Sequence, residues 1–451
     1  MISHAVRLRY MALGVLYFCA MTSTVQAMSL SDALQRAAKH DPTIAVSLAT
    51  YEADKEAGQQ ERGGLLPNVS ARGGYNYDRT KSEFAFGSAP VENYPNWSAS
   101  VEARQPLFRL DWFARGDRAN AQDRLAAAGL NDRQQQLLHR VAERYFNVLL
   151  AQDELTQAEA QAKAVYEALD NTRKRFEVDL APGTDLREAQ ARNDVVQAQV
   201  LSARHALESA QDALDETTGN GHETLPMLAE DVEFPPLLPA DPEAWIRSAA
   251  QNSPALMQAQ QQLAITQANV KSRQATAMPN LDLVAGASHS DSTQYSLGQK
   301  QDDARIGLEL NVPIFAGGIN SSRVREAEAR QRVAEADLQR MTLEIERQVR
   351  QLFRNVQAGY VEVKAYRVAL DSAVVAETAT RNGYEAGTRT ITDVLDARSR
   401  VAQATRDLHR TRYNQLLNLL QLRQSAGVLS ENDFQIVDRL LGATPTSTNP
   451  N

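Results

Sequence analysis

The amino-acid sequence contains one unit of about 210 residues twice, with its motifs in the same order. "LPNVSARGGY" begins at position 66 and "MPNLDLVAGA" at position 278. Further on, "FEVDLAPGTDLREAQAR" at 176 corresponds to "YEAGTRTITDVLDARSR" at 384. A duplicated unit of this kind folds into two similar structural repeats. We therefore predict a first repeat over residues 28–240 and a second over residues 241–440.

Each repeat is predicted to contain one very long helix. Proline is absent from residues 107–181 and again from residues 314–444. Because proline interrupts helices, these stretches favour long helices over 112–176 and 318–384, each about 100 Å long at 1.5 Å per residue. Such a length exceeds that of any compact domain. The other predicted segments are a first helix in each repeat (Ser31–Gly63 and Pro242–Thr276), a shorter helix after each long one (185–217 and 391–427) and a linker (218–240).

Apolar residues along the first long helix indicate how it packs. Leu137, Val141, Tyr145 and Val148 recur at spacings of four and three residues, which is the seam of a coiled coil. We expect this seam to face neighbouring helices. A solvated coiled coil would account for the helices alone, but not for the extended segments between them.

Four extended segments alternate apolar and polar residues. In the last of them, Ile306 and Leu308 alternate with Arg305 and Glu309. This alternation is typical of transmembrane β-barrel strands and also of an ordinary half-exposed hairpin. A closed membrane barrel needs at least about eight strands, and lipid does not tolerate open strand edges, so two or three chains would have to combine theirs. The predicted strand pairs cover about 67–78 with 96–108, and 279–289 with 303–314.

Both ends of the sequence are predicted to lie outside the fold. Residues 1–27 form an export signal, in which Arg7 and Arg9 precede the apolar run "MALGVLYFCAM" and small residues. The run is about half as long as the ~20 residues of a membrane-spanning helix. The one cysteine, Cys19, lies in this segment, so the mature chain would have no disulfide. Residues 441–451 are predicted to be a disordered tail, because they are polar and proline-containing.

The composition makes several classes of function improbable. The formal net charge is −8, whereas a nucleic-acid partner requires clustered Lys and Arg. The seven histidines show no metal-ligand spacing, and the sequence has neither a nucleophile elbow nor a phosphate-binding loop. We therefore predict no enzymatic activity, no cofactor, no metal site and no nucleic-acid partner.

The second long helix is interrupted by "RNGYEAGTRTITDVLDARSR", residues 381–400. Gly383 and Gly387 supply backbone freedom for a turn, and the first repeat has Asp179 where the second has Gly387. Asp393 and Asp396 follow on one face of the next helix. They have two interpretations: they stabilise the helix N-terminus, or in a symmetric assembly they form a ring at a constricted mouth that prefers cations.

The duplicated unit, the strands that end in "QPLF" and "VPIF", and "YEAGTRTITDVLDA" from position 384 resemble the TolC family of outer-membrane efflux and secretion channels. The resemblance covers essentially the whole mature chain. It implies a mainly α fold with a small β part, in which three protomers form a β-barrel in the outer membrane and an α-helical barrel in the periplasm. The implied partners are two further copies of the chain, outer-membrane lipid, a periplasmic adaptor and an inner-membrane transporter of the ABC, RND or MFS type.

The resemblance also implies roles for the two acids. Asp393 and Asp396 occupy the family's aspartate positions at the periplasmic entrance, which favours the ring over helix capping. Carboxylates that are crowded together raise one another's pKa values. We therefore expect the entrance to prefer cations and to respond to pH.

A gate at the entrance is implied as well. Tyr384 and Arg389 match family residues that tie the inner helix pair to a neighbouring helix through an acid of the first repeat. Here that acid is Asp185, beside Thr184. Arg389 can donate a fork of hydrogen bonds to Asp185, and Tyr384 can donate one more. Such partly exposed links are individually weak, so a partner protein could release them.

The function implied by the resemblance is that of an outer-membrane exit duct of a tripartite efflux pump or type I secretion system. The alternative is a periplasmic coiled-coil scaffold or adaptor that forms no channel. The cargo stays open between secreted polypeptides, drugs and metal ions. The motif "GTRTITDVLDA" favours a duct shared by secretion and drug efflux, and the absence of a His- or Met-rich lining disfavours one dedicated to metals.

Overall fold

The computed structural model describes residues 28–64, 66–81, 83–84, 86–88, 91–219, 225–228, 232–292 and 299–442. The predicted export signal, 1–27, and the predicted tail beyond residue 442 lie outside these described residues. The tail does not begin at 441, because the side chain of Leu441 is buried, with 2% exposed, in an apolar cluster.

Helices make up most of the described chain. Those of the first repeat are α1 (Leu30–His40), α2 (Pro42–Gly63), α3 (Asp111–Glu177) and α4 (Gly183–Thr218). Those of the second repeat are α5 (Pro242–Asn252), α6 (Pro254–Ala275), α7 (Ile319–Glu385), α8 (Ile391–Ser425) and α9 (Glu431–Leu440). None of these described helices has a stretch that is both long and apolar enough to cross a membrane.

The first helix of each repeat is divided in two, so the prediction of single helices over Ser31–Gly63 and Pro242–Thr276 was wrong. The breaks fall at Asp41 and Ser253, which have extended backbones with ψ angles of 113° and 119°. Each precedes a proline, and proline disfavours the helical conformation in the residue before it. Asp41 then caps α2, because its carboxylate accepts a hydrogen bond from the Thr43 amide at 2.8 Å.

The described strands are β1 (Asn68–Thr80), β2 (Glu83–Phe84), β3 (Gly87–Ser88), β4 (Glu92–Phe108), β5 (Asn280–Ser292) and β6 (Gln299–Asn311). Four of them form one antiparallel sheet in the order β1-β4-β5-β6. The pairing of β4 with β5 joins the two repeats within this sheet. The strands β2 and β3 form a short hairpin in the segment that connects β1 to β4.

Two differences between these strands and the predicted ones involve prolines. The strand predicted over 303–314 ends at Asn311, just before Pro313, which has no amide to donate to a ladder. In contrast, β4 starts at Glu92 and includes Pro95. Pro95 is tolerated because β4 pairs there with β1 only, and its pairing with β5 begins one residue later, at Asn96.

The two faces of the sheet differ in chemistry. Apolar side chains such as Trp97 and Leu308 are exposed on one face. On the other face, Arg104 lies 3.0 Å from a carboxylate oxygen of Asp282 and 2.9 Å from one of Glu309. One apolar face and one charged face are the arrangement of a sheet between lipid and water.

The two long helices, α3 and α7, contain 67 residues each and so extend about 100 Å from the sheet. The predicted seam of α3 is confirmed, since Leu137, Val141, Tyr145 and Val148 are all buried in one apolar cluster. Within this cluster the Tyr145 hydroxyl donates to the Met28 carbonyl at 2.9 Å. The middle of α3 is therefore held by the beginning of the described chain.

The helix α9 was not predicted from the sequence, because ten residues show too little periodicity. Its Phe434 is fully buried in the same cluster. Ser430 and Asp433 form a capping box at its start. Near its end, the Asp438 carboxylate accepts hydrogen bonds from the amides of Leu30, at 2.8 Å, and Ser31, at 3.2 Å. Thus α9 satisfies the free amides at the start of α1.

Candidate functional site at the ends of the long helices

The turn from α3 to α4 and the turn from α7 to α8 lie side by side at the end of the long helices that is remote from the sheet. The two turns share a cavity of about 300 Å³, lined by Asp185 and Arg192 from the first repeat and by Tyr384 and Arg389 from the second. The duplicated motif therefore brings its two copies together at one place.

The α7–α8 turn needs its two glycines for different reasons. Gly387 has a φ of +72°, a left-handed conformation that glycine adopts without steric cost. Gly383 lies within α7, and a Cβ atom there would stand 2.9 Å from the Cγ atom of Arg389. The Gly383 carbonyl accepts a hydrogen bond from the Thr388 amide at 2.8 Å. The predicted backbone freedom is therefore needed at Gly387. At Gly383 the absence of a side chain instead lets Arg389 pack closely against α7.

The α3–α4 turn adopts the same left-handed conformation without a glycine. Asp179 has a φ of +58°, and the Leu180 amide donates to the Arg175 carbonyl at 2.8 Å. Left-handed backbone costs an L-residue about 1–2 kcal/mol, and somewhat less for Asp. The first turn is therefore strained relative to the second.

We expect Asp179→Gly to stabilise this turn by about 0.5–1 kcal/mol, because the strain disappears. Hydrogen–deuterium exchange should slow at the amides of Asp179 and Leu180 by about two- to five-fold. Asp179→Ala is the matched control, since it removes the same charge and keeps a Cβ atom. Equal slowing in both variants would contradict the explanation by strain.

Asp393 closes the N-terminus of α8. Its carboxylate accepts hydrogen bonds from the Thr390 amide at 2.8 Å and the Thr390 hydroxyl at 2.9 Å, and its own amide donates to the Thr390 hydroxyl. These bonds, the one from the Thr390 amide first, hold the pKa of Asp393 below its ordinary value. Asp393 can therefore cap α8 and also belong to the predicted ring of carboxylates, because its hydrogen-bonded carboxylate keeps its negative charge.

Asp396 has a different partner. Its carboxylate forms an ion pair with the guanidinium of Arg192, which comes from α4 of the other repeat. About half of the Asp396 side chain and a third of the Arg192 side chain are exposed. The two acids that the sequence placed together therefore act differently: Asp393 bonds to its own helix, and Asp396 bonds across the repeats.

The predicted gate residues meet, but not in the predicted pairs. The Tyr384 hydroxyl accepts a hydrogen bond from Arg175 of α3 at 3.0 Å. The Thr184 hydroxyl lies 3.4 Å from a carboxylate oxygen of Asp185. Arg389 and Asp185 line the same cavity, yet among the described residues of this protomer neither Arg389 nor Tyr384 bonds to Asp185. Within one protomer, the arginines that donate hydrogen bonds across the two repeats, Arg175 and Arg192, thus both come from the first repeat. Links between protomers stay a prediction.

Arg175 and Arg192 were not predicted from the sequence. Both are arginines on arginine-rich helices, and nothing in their spacing distinguishes them from solvated neighbours. Their partners, Tyr384 and Asp396, lie about 200 residues later in the chain, so the pairs become visible only when the two repeats are packed together.

Known proteins match this chain along both repeats. The family described as outer membrane efflux protein matches residues 33–220 and 245–428. The chain belongs to the outer membrane efflux protein family. TolC of Vibrio cholerae is 33% identical to it over 95% of this chain and 96% of that protein. AprF of Pseudomonas aeruginosa, an alkaline protease secretion protein, is 29% identical over 93% of this chain and 89% of its own length.

A solved structure shows that the fold is shared as well. The crystal structure of the outer membrane channel CmeC from Campylobacter jejuni superposes with a TM-score of 0.76 at 14% identity, over 93% of this chain and 90% of that chain. The resemblance to the TolC family, the mainly α fold with a small β part and the location in the outer membrane are thereby confirmed. This efflux-family chain is an outer-membrane export channel protein, which sets aside the alternative of a periplasmic scaffold.

Proposed function

We propose that this chain acts as a homotrimer whose sheets close into one barrel. The outer edges of β1 and β6 have no strand partner in the described chain, and open edges are not tolerated in lipid. Further copies of the chain would pair with these edges. The exposed apolar face of the sheet would then meet lipid, and the face with Arg104 would line the passage.

The entrance of this channel is proposed to be the tip where the two turns meet. The observation that carries this assignment is that polar side-chain contacts join the helix pairs α3/α4 and α7/α8 there: Arg175 with Tyr384, and Arg192 with Asp396. Partly exposed pairs are worth only about 0.2–1 kcal/mol each, so a partner can break them. Asp393 and Asp396 of three protomers would form the negative ring.

The proposed partners are a periplasmic adaptor and an inner-membrane transporter of the ABC, RND or MFS type, which would release the tip and deliver cargo. TolC-like channels of efflux and secretion systems work with a periplasmic adaptor and an inner-membrane transporter, and the transporter type is part of the proposal. The likeness to AprF, whose name states protease secretion, supports secreted polypeptides as one class of cargo beside small molecules. No cofactor is needed for this passive conduit.

The proposal is tested on protein solubilised in detergent and then placed in a planar lipid bilayer. Chemical cross-linking should stop at trimers, and single channels should appear. Tyr384→Phe should raise the conductance, because it removes the oxygen that accepts from Arg175. Arg389→Ser tests separately whether Arg389 adds a link to Asp185.

Two outcomes would contradict the proposal. Cross-linking that ends at dimers would exclude the trimer. A Tyr384→Phe channel with the conductance of the unmodified protein would exclude Tyr384 from the gate, while leaving the channel itself in place.

A further inference from the structure

Arg192 of α4 lies beside an apolar cluster to which α3, α4 and α8 all contribute. It lies one helical turn before Val196, which is buried in an apolar cluster with Val165 of α3 and Leu395 of α8. Its partner Asp396 directly follows Leu395. The ion pair therefore lies at the rim of the contact by which α8 packs onto the first helix pair.

The pairing of Arg192 is selective. It also lines two cavities whose walls include Glu188 and Glu377. Glu377 is already bound by Arg398, at 3.3 Å. Within the chain as described, the charged partner of Arg192 is Asp396.

The charge of Arg192 also alters the electrostatics of the tip. Asp393 and Asp396 were both expected to contribute to a negative ring. Because the Arg192 guanidinium is bound to Asp396, the negative field at this tip is weaker while the pair is intact, and Asp393, bonded only to the uncharged Thr390 among the described residues, keeps its full charge. A charge and its partner at contact distance act together as a dipole, whose field decays faster than that of a lone charge.

We propose that Arg192 sets both the closure and the ion selectivity of the entrance. With the helix pairs together, Arg192 holds α8 to α4 and offsets the charge of Asp396. When the helix pairs separate, the ion pair breaks and the Asp396 carboxylate adds its full charge to the mouth. Opening and cation preference are thus coupled. This inference rests on the proposed function, in which the tip is the channel entrance.

Arg192→Gln tests the proposal in planar bilayers. A link of this kind shifts the ratio of open to closed entrances by about two- to five-fold for each protomer, so we expect a higher single-channel conductance. Loss of the positive charge should also raise the ratio of cation to anion permeability by about two-fold, measured as a reversal potential.

Arg187→Gln is the matched control. Arg187 lies on the same helix and is exposed, and among the described residues it bonds only with Gln190 of its own helix, at 3.4 Å. The control removes the same charge but no contact between helix pairs, so its conductance should equal that of the unmodified channel.

The charge-reversed pair Arg192→Glu with Asp396→Lys should restore the low conductance, whereas Arg192→Glu alone should raise it further than Arg192→Gln does. Equal conductance of Arg192→Gln, Arg187→Gln and the unmodified channel would overturn the proposal. So would a reversed pair that stays as open as Arg192→Glu. Failure of the unmodified protein to form channels would instead overturn the proposed function, so the two failures are distinguishable.

Discussion

Phe434→Ala is expected to lower the free energy of unfolding by about 3–5 kcal/mol, the usual cost of removing a buried aromatic ring. The Phe434 side chain is fully buried in an apolar cluster that contains residues of α1, α3 and α8. The loss should appear as a lower denaturation midpoint of the helical circular dichroism signal in detergent.

Ile436→Ala on the same helix is the control, because 38% of the Ile436 side chain is exposed. Its cost should stay within about 1 kcal/mol, since less apolar surface leaves water on folding. Similar losses for the two variants would show that α9 contributes through its helix content and not through the packing of Phe434.

Asp393→Asn together with Asp396→Asn is expected to reduce the cation preference of the channel. A unit charge about 8 Å from a passing ion changes the ion's energy by about 0.5 kcal/mol in water, a factor of about two, and salt reduces this further with distance. Two acids in each protomer of the proposed trimer multiply the effect. The reversal potential in a salt gradient measures it.

The single variants separate the two roles of these acids. Asp393→Asn should change the selectivity and leave the conductance unchanged, because Asp393 bonds within its own helix end. Asp396→Asn should change both, because it weakens the pair with Arg192. An unchanged reversal potential in the double variant would show that these carboxylates do not line the passage, and the ring would have to be abandoned.

The long helices and the strands were predictable because their signals are local and repeated. Proline-free stretches of this length favour long helices. The helices α3 and α7 run over 111–177 and 319–385, and the predicted ranges were 112–176 and 318–384. The break after Asp41 was missed although Pro42 is visible in the sequence. Proline is also common in the first turn of a helix, and here it starts a second helix immediately after the first.

The contacts at the tip were harder to predict because they depend on the packing of the two repeats. The acids Asp393 and Asp396 have the same sequence signal, a carboxylate near a helix start. What distinguishes them is that α8 packs on α3 of the first repeat, and Arg192 of the adjoining α4 reaches only one of them. A resemblance to a family supplies candidate residues, but the partner of each depends on side chains particular to this chain.

The contact between α9 and α1 has a consequence for biogenesis. Asp438 bonds the amide of Leu30 across 408 positions of sequence, and Phe434 completes the cluster that contains Leu30. A chain that emerges into the periplasm from its N-terminal side cannot complete this cluster until α9 has also emerged. Contacts this distant in sequence form slowly, and apolar surface stays exposed meanwhile. We therefore expect the newly exported protomer to depend on periplasmic chaperones for longer than the helical content of the fold alone would suggest.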